Sequence, residues 1–216
     1  MIIDHDNPAC RARWKFAGAG RYNGAFFYSK EIVENIIPRV KTDRNWITVN
    51  QPGEGIDHSI VFVHNNKNPE HYDWLAKYKD LILVCGVPET CQKVALLGKT
   101  VYLPLSVDVA YVERFRRPKT ADTAYVGRLN KMQGTKLPRQ VLCLSGLTRT
   151  KLLTTMAQYK RVYAVGRCAI EAKVLGCEVL PFDPRFPDPS IWKVLDNKDA
   201  AKILQKELDK IDGGKR

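Results

Sequence analysis

Three turns in the C-terminal half of the chain each join a glycine to a cation directly after an apolar, β-branched run. In the first, Val165-Gly166-Arg167 leads into a short helical stretch that carries Glu171 and stops at Gly176. A helix N-terminus attracts anions, because its free N–H groups and its dipole point outward. An arginine there holds a diphosphate with two parallel contacts. Glu171, slightly further on, is placed to accept hydrogen bonds from sugar hydroxyls, so the stretch suits a sugar nucleotide. In the second turn, Gly127-Arg128 follows Ala124-Tyr125-Val126, with Lys131 and Gly134 close behind; this spacing suits a diphosphate clamp. In the third, Ser145-Gly146 follows Val141–Leu144 and precedes Thr148, Arg149, Thr150 and Lys151. Hydroxyls, a glycine and two cations at a helix start suit a phosphate or a base edge. Each turn alone is a weak signal. Together they place Gly127, Arg128, Lys131, Ser145, Gly146, Arg149, Gly166, Arg167 and Glu171 on one expected anion-binding side.

The N-terminal half offers less. His64 stands at the carboxyl end of the apolar run Ile60–Val63, where it could act as a general base toward a hydroxyl. A loop histidine capping backbone groups fits the same position at least as well. Gly18-Ala19-Gly20-Arg21-Tyr22-Asn23-Gly24 lacks the third glycine of a dinucleotide fingerprint. Gly20, Asn23 and Gly24 suit either an acceptor loop or an ordinary tight turn. Asp108, after Leu103–Val107, reads as a helix cap. His58, next to Asp57, precedes the strand that His64 follows and belongs at the opposite end of it. No metal site is expected: Asp183 and Asp188 sit in a proline-rich loop, and the Asp-x-Asp triplet at Asp4-His5-Asp6 lies at the extreme N-terminus. No Ser-His-Asp or Cys-His arrangement is legible from spacing, and no cofactor is expected.

The elements that must position these residues alternate. Apolar runs at Trp46–Val49, Ile60–Val63, Leu81–Cys85, Val101–Pro104, Ala124–Val126, Val141–Leu144, Val162–Ala164 and Val179–Pro181 read as buried parallel strands. Helices are predicted over Lys30–Ile37 with Ser29 as cap, from Pro69 toward Tyr78, from Pro88 to Gly98, over Lys151–Ala157, and from Asp199 to about Ile211. Alternation of this kind predicts an α/β protein. A polar segment, 113–122, reads as a hinge between an N-terminal domain over 1–115 and a C-terminal domain over 120–216.

With 216 residues, the chain accommodates one large domain or two small ones. Its net charge of +12 favours polyanions: nucleic acid, anionic lipid or nucleotide phosphates. No apolar run reaches the ~20 residues of a membrane span. The N-terminal stretch lacks the apolar core of a signal peptide. The six cysteines form no Cys-x-x-Cys pair and read as buried free thiols, which points to the cytoplasm.

Leu103–Asp108, a short linker, then Ala124–Leu129 with Lys131 and Gly134 resembles the join between the halves of retaining GT-B glycosyltransferases of the group 1 kind. Gly166–Val179 resembles their donor-site helix. The resemblance covers about the last half of the chain, and the two motifs fall in the family's order. It implies two Rossmann-like halves with parallel sheets and a nucleotide-sugar in the cleft between them. Arg128 and Lys131 would match the diphosphate clamp, and Glu171 the carboxylate that contacts the ribose. His64 would be a candidate for the polar residue near the reacting sugar. The function implied is metal-independent glycosyl transfer from a nucleotide-sugar. The alternative is a non-catalytic nucleotide- or nucleic-acid-binding protein on the same scaffold. Two departures bear on this choice: the family's second glutamate, eight positions before Glu171, is Tyr163 here, and the chain is far shorter than a usual member. Compactness and basic charge suit a viral or mobile-element genome, the host cytoplasm, and DNA or another polyanion as acceptor.

Overall fold

The computed structural model describes residues 1–3, 24–48, 56–64, 69–128, 132, 134–135, 137–138 and 141–213. Gly20, Asn23 and Lys131 therefore lie outside the described residues, and Gly24 is the first residue of a helix. The protein is α/β, with two Rossmann-like halves, each built on a parallel sheet. Contacts divide the chain into two compact units, with the breaks at Pro104/Leu105 and Asp196/Asn197. The first break precedes the expected hinge, and the terminal helix belongs with the first unit.

In the first unit, strands β1 (Ile2–Ile3), β2 (Asn45–Ile47), β3 (Ser59–Val63), β4 (Ile82–Cys85) and β5 (Lys99–Tyr102) pair in chain order, all parallel. Every residue of β3 and β4 is buried, as a strand covered on both faces must be. Under β3 and β4 lies a core of Ile47, Val61, Val63, Tyr72, Leu75, Leu81, Leu83 and Val94.

Helix α1 (Gly24–Glu31) continues as a π-turn over Ile32–Ile36 and a 3₁₀ turn over Ile37–Arg39, where Pro38 stops regular helix formation. Ser29 therefore lies inside a helix and does not cap one. Its hydroxyl, fully buried, donates to the Thr48 carbonyl at 2.5 Å. The segment Pro69–Lys77 is 3₁₀ and not α. Helix α2 (Pro88–Val94) starts on proline, whose missing N–H would be unpaired there in any case.

At the far end of the first unit's sequence, α6 (Asn197–Gly213) buries Ala200, Ala201, Leu204 and Leu208. Asn197 donates to Glu31 at 2.8 Å within this unit's interior. Arg44, its side chain fully buried, bridges Asp212 of α6 (2.7 Å) to Asp80 before β4 (3.3 Å).

The second unit opens with a one-residue bridge in which Val107 pairs in parallel with Asp196, and the Val107 N–H donates to the Leu195 carbonyl at 3.1 Å. Helix α3 (Val109–Glu113) follows, capped as expected by Asp108, which accepts from the Tyr111 N–H at 2.9 Å. Strands β6 (Ala121–Val126), β7 (Leu142–Leu144), β8 (Tyr159–Ala164) and β9 (Glu178–Leu180) form a parallel sheet in the order β7-β6-β8-β9. Helix α4 (Arg149–Met156) joins β7 to β8, and α5 (Arg167–Val174) joins β8 to β9. Among the described residues, no helix is long and apolar enough to cross a membrane.

Candidate functional site

The strand order of the second unit has one reversal. After β6 the chain moves outward to β7, then returns to lay β8 on the other side of β6. In open α/β sheets, ligands bind outside the carboxyl ends of the strands at such a reversal. Here those ends are Val126 and Ala164, which face each other in register. The residues that follow them are Gly127-Arg128 and Val165-Gly166-Arg167, two of the three turns singled out by sequence.

Each turn has a local reason for its glycine. Gly166 adopts φ 62°, ψ −136° as it enters α5, a backbone region that side chains avoid. At Gly127, a Cβ would stand 2.7 Å from the Tyr125 hydroxyl. That hydroxyl donates to the Arg128 carbonyl at 2.8 Å, so the turn is closed by a side chain from its own strand. Tyr125 also stacks on Phe182, with ring centroids 5.1 Å apart, and burial pushes its phenol well above the usual range. Arg128 itself is exposed. In the third turn, Ser145 is half-buried and Gly146 lies exposed at φ 69°. The Thr148 hydroxyl accepts from the Lys151 N–H at 3.3 Å, so it is the N-cap of α4.

The side chains converge on Glu171. It is fully buried, and its Oε1 accepts from Arg167 Nε at 3.1 Å and from Arg149 at 3.3 Å. Arg167 reaches it from one helical turn earlier; Arg149 reaches it from the start of α4. Both arginines are themselves close to buried, at 5% and 11% side-chain exposure. Two guanidinium groups and one carboxylate sum to +1 in a region of low dielectric, where charge–charge terms are strong. The Arg149 guanidinium also lies 4.8 Å from the centre of the Tyr111 ring, and Arg114 lies 4.9 Å from the same ring. Sequence gave no signal for Tyr111; its place on α3, just past the Asp108 cap, follows from the tertiary fold. Glu171 thus organises two cations, a role that spacing alone did not reveal.

In the first unit, His64 stands at the carboxyl end of β3, as the sequence implied. Its ring Nε2 donates to the Thr48 carbonyl at 2.7 Å, close to the Ser29 hydroxyl at 3.3 Å, and the Tyr28 ring meets it edge-on at 5.5 Å. Its backbone N–H donates to the Tyr72 hydroxyl at 2.8 Å. Burial lowers its pKa to about 4, so the ring is neutral near pH 7 and weakly basic. At the opposite end of β3, His58 contacts Asp80 at 2.6 Å and Asp43 at 3.2 Å. Among the described residues, no group of three or more His, Cys, Asp or Glu is arranged to hold a metal ion, and Cys85, Cys91, Cys143, Cys168 and Cys177 are free thiols.

No protein-family model matches the chain, and no curated protein or solved structure matches it.

Proposed function

We propose that the second unit binds a nucleotide-sugar by its diphosphate, and that the protein is a small glycosyltransferase of GT-B type. The observation that carries this reading is the Arg149–Glu171–Arg167 cluster beside the reversal point of the sheet. A buried group of net charge +1 next to a helix N-terminus favours an anion of matching charge. Arg167 and Arg149 would face the diphosphate, with Arg128 and Lys131 completing the clamp from the turn after β6. During transfer, the acceptor oxygen bonds to the anomeric carbon as the bond from that carbon to the diphosphate oxygen breaks. The leaving diphosphate keeps the electron pair, and fixed guanidinium groups stabilise the developing charge. The acceptor proton passes to the leaving diphosphate oxygen and not to His64, whose buried ring serves Thr48 and is a weak base.

A second reading, nucleotide binding without transfer, is favoured by one feature: Glu171 is fully buried with Oε1 held by both arginines, and the position eight residues earlier is Tyr163. A titration calorimetry panel of UDP-, GDP- and ADP-sugars separates the outcomes, with Arg167→Ala as control. Micromolar binding that the variant loses supports the donor site. Release of free sugar or transfer to an acceptor adds catalysis; binding without either supports the second reading. Absence of heat with every donor overturns both.

A further inference from the structure

Residues 105–196 carry sixteen of the lysines and arginines against eight acids and so account for +8 of the net +12. The remaining excess of +4 includes an ordered feature in the first unit. Lys202, Lys206 and Lys210 recur every four residues along α6 and are all exposed. Four residues advance a helix by about 6 Å, so the three ammonium groups form one ridge. Arg39, at the end of the 3₁₀ turn, faces that ridge across a groove of about 600 Å³ that Gln205 and Asp209 also line. The groove has a fixed wall: Gln205 accepts from the Lys41 N–H at 2.6 Å, donates back to the Lys41 carbonyl at 3.1 Å, and donates to Asp209 at 2.8 Å. Four cations therefore line it against one carboxylate.

We propose that this groove binds the phosphate backbone of a nucleic acid. The phosphates of one B-DNA strand rise ~3.4 Å each along the duplex axis and wind around it, so neighbours stand about 7 Å apart in space and lysines ~6 Å apart meet successive phosphates. Lys202 and Lys210 also pair with Asp199 (2.9 Å) and Glu207 (2.6 Å) on the exposed helix surface. Exposed pairs of this kind are worth at most about 1 kcal/mol, so phosphates displace them readily. An anionic membrane fits less well. A membrane-surface helix inserts its apolar face, whereas the apolar face of α6 is spent on Ala200, Ala201, Leu204 and Leu208 inside this unit. The lining contains no aromatic or large aliphatic side chain. This inference is independent of the donor site.

The test is fluorescence anisotropy of the whole protein with a labelled 24-base-pair duplex of mixed sequence, between 50 and 200 mM salt. Wild type is expected to bind with affinity that falls steeply with salt. Lys202→Gln/Lys206→Gln/Lys210→Gln, which keeps good helix formers, is expected to bind at least about tenfold more weakly at the low-salt end. Its log–log salt slope is expected to be shallower by about 2 to 3, since each lost phosphate contact removes ~0.9. The variant's melting temperature and its calorimetric response to UDP-glucose should match wild type, which separates this result from failure of the donor site. The inference is overturned if wild type does not bind the duplex, or if the variant keeps both affinity and slope. It is also overturned if phosphatidylserine vesicles, and not DNA, bind in a way the variant abolishes.

Discussion

The first unit lays its five strands down in chain order, so each connection steps the same way across the sheet. The second unit turns back once, between β7 and β8. Both sheets are parallel, and both present polar side chains at the carboxyl ends of their strands, yet those side chains are used differently. In the first unit, Ser29 and His64 converge on a backbone oxygen, that of Thr48, and bind one element to the next. In the second, the side chains of Arg149 and Arg167 converge on one buried carboxylate, that of Glu171. A parallel sheet supplies polar strand ends in either case. In the second unit the reversal of strand order separates two connections, and the arginine–glutamate cluster lies on the residues that follow β7 and β8.

The largest expected effect tests whether the second cluster is as charged as it looks. Glu171→Gln keeps the shape but removes the buried negative charge that both guanidinium groups pair with, and should cost about 3–5 kcal/mol in urea unfolding. A cost under 1 kcal/mol would mean that the arginines are solvated and the two strand ends differ less than their burial indicates.

The two histidines of the first unit sharpen the contrast by their signs. His64 has a folded pKa near 4, below its unfolded value near 6.5. Its stabilisation is complete above pH 6.5 and is lost as pH falls toward 4, by about 3 kcal/mol in all. Unfolding of wild type and His64→Gln followed over pH 4–7 should show the loss in wild type alone. His58 works the other way. The hydrogen bond to Asp80 raises its pKa, against an opposing push from burial. Its contribution is complete below the unfolded pKa and fades as pH rises through the folded one. It is the smaller term, because the ring is 40% exposed.

Between these lie the glycine and the cap. Gly166→Ala should cost about 1–3 kcal/mol from backbone strain, and should weaken nucleotide-sugar binding by more than that loss of stability explains. Asp108→Ala removes one N-cap and should cost about 1 kcal/mol, read as a lower melting temperature with donor affinity little changed. If Asp108→Ala abolished donor binding, α3 and Tyr111 would be part of the site itself.

Much of this was legible in the chain. All eight apolar runs became strands, because a strand buried on both faces must be a continuous apolar run, as Ile60–Val63 and Leu81–Cys85 are. The glycine–cation turns fell at strand ends because glycine relaxes the backbone and polar residues cannot extend a buried strand. The short strand β1 was missed, since two residues carry no period. Ser29 misled because a serine before an apolar run has the composition of a cap, while the contact that holds it, Thr48, lies nineteen residues away. Partnership between Arg149 and Glu171 was likewise invisible: twenty-two residues separate them, and only the tertiary fold of this unit brings the start of α4 to Glu171. The allegiance of α6 was hidden for the same reason, because Asn197 and Glu31 are 166 positions apart.

The pairing of Val107 with Asp196 has a further consequence. A segment that enters and leaves at neighbouring points behaves as a cassette. It can be lifted out, shortened or exchanged while the cost of joining its ends stays low, because they already meet. Residues 105–196 are thus a guest within a host fold, and the guest can change while the host sheet keeps its order.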